Sequence, residues 1–396
     1  MKVGILGQGA SGLFLALMLK FENQDLDVVV IDKNVNIGRK FLATGNGRCN
    51  LANTEITESS YNNEEGRKIV EEFDSEELIS FLRNIGVLTR KVNNLVYPYS
   101  LSAKNLLDYL IDYAKQNKIR FVNNENLIDY DIVDGKVKVT TSKKNFSFDK
   151  FVIASGNGSA PQLGGATSVL SVLSKKGYKI IEGKPGLCPI RTVESTKTLE
   201  NQRVKAKVTL VIDKNIAYEE VGEVQFKKDG LSGIAIFNCA SVIARSTKFK
   251  KAIIRIDLMP DTSAEELFKE FTLLNPISNK SFLCGIFTKE VTEYIRKNSG
   301  VKNPYIYSPS ELKKLALYIK NIEFTYKESY SFNDSQVTVG GINLKNVDEN
   351  LESKLEKGIY FTGEVLNVDG LCGGYNLMFA FASAHKVANA ILESLN

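Results

Sequence analysis

Residues 1–32 read MKVGILGQGASGLFLALMLKFENQDLDVVVID, and they contain the clearest structural pattern of the chain. A short apolar run, KVGIL, predicts a buried strand, and GQGASG follows it at once with the spacing GxGxxG. The run LFLALMLKF then predicts a buried helix, and LDVVVID predicts a second buried strand that ends at Asp32. A strand, a glycine turn, a helix and a second strand with an acidic end together indicate a Rossmann unit that binds a dinucleotide.

The residues of this turn have separate tasks. The first glycine allows the tight turn, the second lets the backbone approach a pyrophosphate, and the third lets the helix pack on the sheet. N–H groups at the helix start would face the phosphates, and the acid would accept hydrogen bonds from a ribose. The pattern does not separate NAD from FAD. The predicted cofactor-binding residues here are Gly7, Gly9, Ala10, Ser11, Gly12, Asp32 and Lys33.

A second glycine-rich stretch is GRKFLATGNGRCN at residues 38–50, which combines glycines with cations. It has few apolar side chains that a hydrophobic core could bury. We expect residues 38–54 to form an irregular loop with a function. Its cations would face phosphate, and its glycines would let main chain lie against a flat ring. An isoalloxazine ring fits this description, which favours FAD. The predicted cofactor-binding residues here are Arg39, Lys40, Gly45, Gly47, Arg48, Cys49 and Asn50.

The composition of the 396 residues is that of a soluble globular protein, with 43% hydrophobic and 24% charged residues. A net charge of +5 is too thinly spread to argue for a nucleic-acid partner. Five cysteines without a CxxC pair indicate a reducing compartment. The sequence shows neither a signal-peptide pattern nor an apolar run long enough for a bilayer. We therefore expect a cytoplasmic protein without a membrane partner, and the oligomeric state stays open.

Several reaction classes lack their motifs. The single histidine, His385, falls within the last predicted helix, where packing or surface exposure is the expected role. HExxH, GxSxG and paired CxxC motifs are absent, so we predict no metal site. A second Rossmann unit and a redox CxxxxC pair are absent too. NAD(P)H, if it is the electron donor, would therefore bind only transiently.

Several motifs together resemble one family, the HI0933-like flavoproteins, also described as NAD(P)/FAD-dependent or aminoacetone-oxidase-like oxidoreductases. The resemblance runs from residue 1 to about residue 390. Two departures are visible, since Ile234 stands where the family usually has proline and Cys372 where it more often has threonine. The motifs that carry it are GQGASGL, GRKFLATGNGRCNLAN, ASGNGSAP (154–161), GEVQFKKDGLSGIAIFNCAS (222–241), VTVGGI (337–342) and GIYFTGEVLNVDGLCGGYNLMFAFASA (358–384).

The resemblance and the residue patterns imply an α/β fold. A Rossmann-like FAD-binding domain with a mixed, mainly parallel sheet would comprise residues 1–185 and 331–396. Residues 186–330 would be an insertion, β-rich over 186–258 and mainly helical over 259–330, which covers the flavin and forms the substrate pocket. NFSFDKFVIAS predicts one strand that ends near Ala154. Predicted helix caps are Asp74 with Glu77, Ser102, Ser263 with Glu266, and Ser308 or Ser310.

The stretch GLCGGYN precedes the last helix, whose N-terminus should point at the flavin. One of Asp369 and Glu364 should lie near the ribityl chain, Asp369 being preferred. The candidates for a catalytic role are Cys49, Cys372 and Tyr375, although we expect the two thiols to be reduced bystanders. The further predicted cofactor-binding residues are Ala154, Gly156, Gly363, Glu364, Asp369, Gly373, Gly374, Tyr375 and Asn376.

The leading hypothesis from the sequence is an FAD-dependent oxidoreductase acting on a small organic molecule, with the flavin carrying the hydride chemistry. Two alternatives remain. One is an FAD-dependent protein that modifies RNA, which would predict a concentrated basic face and aromatic platforms. The other is a flavin-binding redox sensor without enzymatic activity. The sequence does not identify the substrate.

Overall fold

The structure is a computed structural model that describes residues 1–246, 248–275, 281–302 and 306–395. The chain divides into two compact units. Met1–Lys184 and Gln336–Asn396 form the first, which we call the Rossmann unit. Pro185–Ser335 forms the second, which we call the inserted unit.

The first segment of the chain supplies most of the Rossmann unit. Its helices and strands are β1 (Lys2–Leu6), α1 (Ala10–Glu22), β2 (Asp27–Ile31), α2 (Arg39–Ala43), β3 (Ala52–Asn53), α3 (Glu64–Glu71), α4 (Ser75–Asn84), β4 (Thr89–Val92), β5 (Leu95–Pro98), α5 (Ala103–Gln116), β6 (Arg120–Val122), β7 (Leu127–Val133), β8 (Lys136–Thr141), β9 (Asn145–Phe148), β10 (Lys150–Ile153), α6 (Ser168–Lys175) and β11 (Ile180–Gly186).

The inserted unit follows, and the chain then returns to the Rossmann unit. The inserted elements are β12 (Ile190–Thr192), β13 (Arg203–Ile212), β14 (Asn215–Lys227), β15 (Gly230–Ser232), α7 (Ile234–Arg245), β16 (Ala252–Asp257), α8 (Ala264–Leu274), α9 (Lys289–Asn298), α10 (Pro309–Lys320) and β17 (Ile322–Ser329). The returning elements are β18 (Val337–Ile342), β19 (Ile359–Phe361) and α11 (Tyr375–Glu393).

The main sheet of the Rossmann unit has the strand order β19-β10-β1-β2-β6, and every pairing in it is parallel. Leu6 pairs with Ile31 on one side and with Ile153 on the other. The strands therefore end in line at one edge. Strands β2 and β10 lie on opposite sides of β1, so the order of the strands reverses at β1. Ligands of such sheets bind outside the carboxyl ends of the strands at this reversal. The predicted α/β fold with a Rossmann-like domain is confirmed.

The position of α1 explains why the sequence of this helix is apolar on every face. All of residues 11–20 are buried, because the helix lies between the sheet and α11. Lys20 is buried with them, and its ammonium donates to the carbonyl oxygens of Gln24 and Leu26 at the end of the helix. A buried charge is tolerated there because main-chain oxygens replace its water.

Predicted caps are confirmed at the helix starts of both units. Asp74 forms a capping box with Glu77 at α4, and the Ser102 hydroxyl accepts from Asn105 N at α5. Capping boxes also start α8 and α10, where Ser263 pairs with Glu266 and Ser308 with Glu311. Of the two serines proposed for α10, Ser308 is thus the cap.

In the inserted unit, antiparallel pairs close β12, β15, β14, β13, β16 and β17 into a barrel. Along β16, Ala252, Ile254 and Ile256 are buried, and the residues between them are partly exposed. This alternation of period two is the pattern of a sheet with one face in a core. Residues 186–258 also contain α7, and 259–330 end with β17, which completes the barrel.

Two expectations about local structure were wrong. NFSFDKFVIAS is two strands, because Asp149 divides β9 from β10 and its carboxylate accepts from Lys2 N at 2.6 Å. Both parts are extended, so periodicity could not separate them. Residues 38–54 are not wholly irregular, since they contain α2 and β3. Helix α2 begins after Gly38, which has φ 68°, and it buries Phe41.

Candidate functional site

The carboxyl edge of the parallel sheet gathers the first set of predicted residues. Gly7, Asp32, Ala154 and Thr362 each follow directly on one of the aligned strand ends. Residues separated by more than 300 positions in the chain therefore share one edge. The GxGxxG turn at residues 7–12, which we call the fingerprint, is thus brought beside Ala154 and Gly363.

The three glycines of the fingerprint differ in their surroundings. A Cβ at Gly7 would lie 2.2 Å from Ala154 O, and one at Gly12 would lie 2.0 Å from Gly7 O. A Cβ at Gly9 would meet nothing within 4 Å. Gly7 and Gly12 are therefore required by packing within the protein, whereas Gly9 leaves space beside the start of α1. A phosphate could approach the main chain in that space.

Asp32 is held firmly by its neighbours. Its Oδ2 accepts from Gln8 N at 2.7 Å, and its Oδ1 accepts from Asn34 N at 2.7 Å and from Asn34 Nδ2 at 2.8 Å. A carboxylate has about four acceptor positions, so Oδ2 keeps capacity for another donor. Burial lowers the pKa of the adjacent Lys33, against the opposing effect of Asp32.

A small cavity opens beside this carboxylate. Gly7, Asp32 and Lys33 line it together with Ser155 from the end of β10 and Glu125 after β6. Glu125 is itself buried and accepts from Thr141 Oγ1 at 2.6 Å, which lowers its pKa. The cavity thus lies at the carboxyl edge of the sheet, next to the GxGxxG turn and Asp32.

The cations of the glycine-rich loop are not left free to face a phosphate. Lys40 Nζ lies 2.6 Å from both Glu364 Oε2 and Ser159 Oγ. Arg39 donates to Gln162 O at 2.7 Å, and the Arg48 guanidinium lies over the Tyr97 ring. Their assignment as phosphate ligands stays a prediction.

The turn at Thr44–Gly47 leads into a buried pair, Cys49 and Asn50. Gly45 has φ 56°, and Cys49 has φ 60°, which is uncommon for a residue with a side chain. Burial raises the pKa of the Cys49 thiol to about 12, although Thr44 acts in the opposite direction. The thiol is therefore protonated at neutral pH and is a poor nucleophile.

The two glycine-rich loops predicted to touch the flavin meet in the structure. With its amide nitrogen turned towards Ala52 O (3.0 Å) and its amide oxygen towards Gly374 N (3.2 Å), Asn50 satisfies both main-chain groups, and Asn53 Nδ2 donates to Gly373 O at 3.0 Å. A Cβ at Gly374 would lie 2.7 Å from Ala52 O, and its φ is 97°, so only glycine fits there. Residues 49–53 therefore hold the start of α11.

Tyr375 and Asn376 stabilise this start. The Tyr375 hydroxyl donates to Glu55 O at 2.9 Å, and its ring lies edge-on to Tyr61. The Asn376 amide accepts from Gly370 N at 2.9 Å and donates to Gly370 O at 3.0 Å. The amide therefore shapes the 370–374 loop, and the assignment of Asn376 to cofactor binding stays a prediction.

The two acids proposed for the ribityl chain are placed differently. Asp369 is 1% exposed, and its main chain pairs with Asn62. Glu364 is partly exposed and lies 3.8 Å from the Cβ position of Gly156. Exposure makes Glu364 the more accessible of the two, although Asp369 was preferred from the sequence.

Ser11 and Gly363 bring the start of α1 to the end of β19. A Cβ at Gly363 would lie 2.5 Å from Ser11 Oγ. Gly363 N donates to Ser383 Oγ of α11 at 3.0 Å. These two helices and the sheet edge thus meet around one glycine.

Sequence reasoning missed several residues of this edge. Gln8 is buried, and its Oε1 has no hydrogen-bond partner in the described part of the chain. Ser159 joins Lys40 to Glu364, and Thr338 N donates to Glu364 Oε1 at 2.8 Å. ASGNGSAP and VTVGGI had been quoted as motifs, so the signal was present without individual roles.

The cysteines and carboxylates of the described residues form neither a disulfide nor a metal cluster. None of the five cysteines is in a disulfide, and Cys372 Sγ lies 3.9 Å from Gln336 Oε1. Within the described ranges, histidine, cysteine, aspartate and glutamate form no group of three that could hold a metal ion. None of the described helices has both the length and the apolar character that a membrane-spanning helix needs.

Two curated relatives align along nearly their whole length. The 3-dehydro-bile acid delta(4,6)-reductase of Clostridium scindens is 28% identical over 405 residues, 99% of each chain. The ribosomal RNA dihydrouridine synthase of Haemophilus influenzae is 24% identical over 401 residues, 98% of this chain and 97% of that one.

A solved structure supports the fold alone. The 3-ketosteroid delta1-dehydrogenase from Sterolibacterium denitrificans, in complex with 1,4-androstadiene-3,17-dione, has a TM-score of 0.50 at 10% identity and covers 99% of both chains.

The family model described as HI0933-like protein Rossmann domain matches residues 1–390, which confirms the resemblance seen in the motifs. Together with the fold and the relatives, this match makes the chain an FAD-dependent oxidoreductase. The chain belongs to the HI0933-like family of Rossmann-domain proteins.

Proposed function

We propose that the chain reduces a carbon–carbon double bond conjugated to a carbonyl group in a small organic molecule, with FAD as cofactor and NAD(P)H as a transient electron donor. The observation that carries the cofactor assignment is the open side of Gly9 between the two closely packed glycines, Gly7 and Gly12. A dinucleotide needs that approach to the main chain for its pyrophosphate.

The parts of FAD would bind one after another to residues at the carboxyl edge of the sheet in the Rossmann unit. The N–H groups at the start of α1 would hold the pyrophosphate, and Asp32 Oδ2 would accept from a ribose hydroxyl. The unpaired Gln8 Oε1 offers a further acceptor at this edge. The 45–50 and 373–376 loops, which meet through Asn50 and Gly374, would lie against the ring.

The reactions that the names of the two relatives describe support a reductase. FAD, when bound and reduced, supplies a hydride. The two full-length relatives share one reaction in different molecules, because a 3-oxo-4,6-diene and a uracil ring both hold a double bond conjugated to a carbonyl. Reduction adds the hydride to the carbon β to the carbonyl and a proton to the α carbon. The protein's part is to hold the substrate, exclude water and supply the proton.

The start of α11 has a defined role in this scheme. Its N-terminus carries a partial positive charge, and the cap residue Gly374 has no side chain to cover it. A positive helix end beside the pyrimidine part of the ring would stabilise negative charge on reduced flavin by about 1 kcal/mol. Residues 49–53 would keep that helix end in place.

The experiment is anaerobic mixing of the purified holoprotein with NADH or NADPH, followed by a 3-oxo-4,6-diene bile acid. We expect the donor to remove the yellow colour and the dienone to restore it, because each reduced flavin transfers one hydride and saturates one of the two conjugated carbon–carbon double bonds. Flavin released from denatured protein should be FAD. Release of FMN alone, or flavin that neither donor bleaches, would contradict the proposal.

A second candidate is the reduction of uridine in ribosomal RNA. One observation favours it besides the similarity to the ribosomal RNA dihydrouridine synthase. The inserted unit contains 23 lysines and arginines against 18 aspartates and glutamates, whereas the rest of the chain contains 28 of each. The whole excess of +5 therefore belongs to the inserted unit. Such a concentration supports binding of an anion. Return of the yellow colour with ribosomal RNA but not with the dienone would favour this candidate.

A further inference from the structure

Five lysines of the inserted unit lie at one end of its barrel, and we call them the lysine surface. The two-residue turn between β13 and β14 contributes one, the loop between α7 and β16 contributes three, and strand β17 contributes one. All five are exposed, and none of them forms an ion pair with a described residue. The five are Lys214, Lys248, Lys250, Lys251 and Lys327.

Hydrogen bonds and strand pairing place these three segments side by side. Asp213 N, in the turn after β13, donates to Lys251 O at 3.0 Å. On the other side of β16, Ile253 pairs with Thr325 of the antiparallel strand β17. Lys251 lies two residues before Ile253, and Lys327 lies two residues after Thr325. The turn, the loop and β17 therefore meet at the same end of the barrel.

The acids that adjoin the lysine surface have other partners. The carboxylate of Asp213 accepts from the main-chain N–H groups of Lys250 and Lys251, each at 2.9 Å. Glu328, which follows the lysine of β17, lies 3.7 Å from a guanidinium nitrogen of Arg191. The positive charge of the five ammonium groups is thus not cancelled by these two carboxylates.

Two features of the lysine surface cost stability. Asp213 and Lys214 form a two-residue hairpin turn with φ 47° and 76°, and the second position of such a turn favours glycine. Lys251 and Lys327 extend from neighbouring strands, where like charges repel each other. Strained backbone of this kind is concentrated at functional sites. Retention of a lysine at the strained position points to a function for its charge.

The loop before β16 presents its charge and turns its aromatic side chain inwards. Phe249 is partly buried, and its ring centre lies 6.2 Å from that of Tyr326. Its neighbours Lys248 and Lys250 are exposed. A bilayer would require apolar anchors as well as cations, and near the turn only Ile216 is a large exposed apolar side chain among the described residues. Ammonium groups without such anchors fit the phosphates of a nucleic acid.

We propose that the lysine surface binds the phosphate backbone of RNA without reading its sequence. The inference rests on the second candidate function, for which it names the docking surface, and it concerns the inserted unit alone. Each lysine that contacts a phosphate releases a condensed counterion, so the affinity should fall steeply with salt.

The test measures binding of a short, fluorescently labelled ribosomal RNA hairpin to the oxidised holoprotein by anisotropy at several salt concentrations. The site variant is Lys250→Gln, Lys251→Gln. Its matched control is Lys313→Gln, Lys314→Gln, since these are also adjacent exposed lysines of the inserted unit. At about 0.15 M salt we expect the site variant to bind about tenfold to fiftyfold more weakly, with a slope of log K against log salt that is smaller by about 1.5–2. The control should match the parent.

Lys214→Gly separates a role of the charge from a role in folding. Glycine relieves the strain of the turn, so this variant should unfold at the same temperature as the parent or at a higher one. It should nevertheless bind the hairpin several-fold more weakly, with a slope smaller by about 1. Full affinity in a stable Lys214→Gly protein would contradict the proposal.

Three further outcomes would overturn it. The first is a parent protein that does not bind the hairpin. The second is an equal loss of affinity in the control variant. The third is binding to vesicles of anionic phospholipid that depends on Lys250 and Lys251 while binding to RNA does not, which would assign the surface to a membrane. Because no electron donor is used, absence of uridine reduction would reject the second candidate function and leave the binding result readable.

Discussion

The ammonium of Lys40 lies 2.6 Å from Glu364 Oε2, so the glycine-rich loop after β2 is joined to the loop after β19 by an ion pair. Both side chains are partly shielded, at 30% and 22% exposure. Ser159 donates to the other carboxylate oxygen at 2.7 Å and connects a third segment to the pair. The loops that carry the predicted cofactor residues are therefore positioned by one shared network.

We predict that Lys40→Met and Glu364→Gln each destabilise the flavin-free protein by about 1 kcal/mol, since partial exposure and solvent screening limit the pair. Urea unfolding of both single variants and the double variant forms a cycle. We expect a coupling of about 0.5–1 kcal/mol between the two sites. Strictly additive effects would show that the pair contributes nothing to stability.

Gly9 and Gly12 should separate cofactor binding from folding. Gly12→Ala should destabilise even the flavin-free protein, by about 1–3 kcal/mol, because its Cβ would overlap Gly7 O. Gly9→Val should leave thermal unfolding of the flavin-free protein nearly unchanged and abolish flavin retention. Full flavin in Gly9→Val would place the phosphate site elsewhere.

His385 should govern the stability near neutral pH. Burial lowers its pKa, so protonation favours the unfolded chain, whose pKa is higher. The stability is then complete above the unfolded value of about 6.5 and falls as the pH drops towards the folded pKa. Glu77, Glu22 and Glu72 act in the opposite direction, and Lys386 adds to the shift.

His385→Gln should remove this part of the pH dependence, because the chain has no other histidine. Urea unfolding at several pH values between neutrality and about 5.5 checks it, with the parent as reference. An equal slope in both proteins would mean that another group titrates in this range.

The thiols should fall into two classes. Cys284 is exposed and Cys372 is partly exposed, whereas Cys49, Cys188 and Cys239 are buried. Burial raises the pKa of the Cys49 thiol to about 12 and that of the Cys188 thiol to about 11. A thiol reagent at mildly alkaline pH should therefore modify Cys284 and Cys372 in the native protein and the other three only after unfolding.

The same reasoning predicts that Cys49 and Cys372 take no part in electron transfer. The double variant Cys49→Ser, Cys372→Ser should keep its flavin and be reduced by the same donor at a similar rate. Titration of the native protein should consume two electrons per flavin. Four electrons per flavin, falling to two in the double variant, would instead show a redox disulfide.

The parts of the fold that local sequence determines were predictable. The β1–α1–β2 unit follows from a fixed glycine spacing between apolar runs, and the caps follow from residues three apart. The division at Asp149 was not visible, because the residues on both sides of it are extended. The helix α7 was hidden in a similar way, since a short apolar run fits a strand or a helix.

The candidate site was predictable in outline and not in its contacts. The glycine-rich loops could be marked from composition, but Lys40 and Glu364 are 324 positions apart, and no local pattern joins them. Asn376 could be expected near the cofactor, whereas its hydrogen bonds to Gly370 depend on the path of the loop.

The interrupted Rossmann unit has a consequence for the order in which the protein is made. A ribosome releases β1, β2 and β10 before any of the inserted unit, while β19, which pairs with β10, emerges after all of it. The barrel is continuous in the chain and can fold during translation, whereas the parallel sheet waits with β10 as an open edge. A nascent chain stalled before residue 359 lacks the last strand, Glu364 and the whole of α11. The proposed cofactor site is therefore complete only after β19, Glu364 and α11 have emerged.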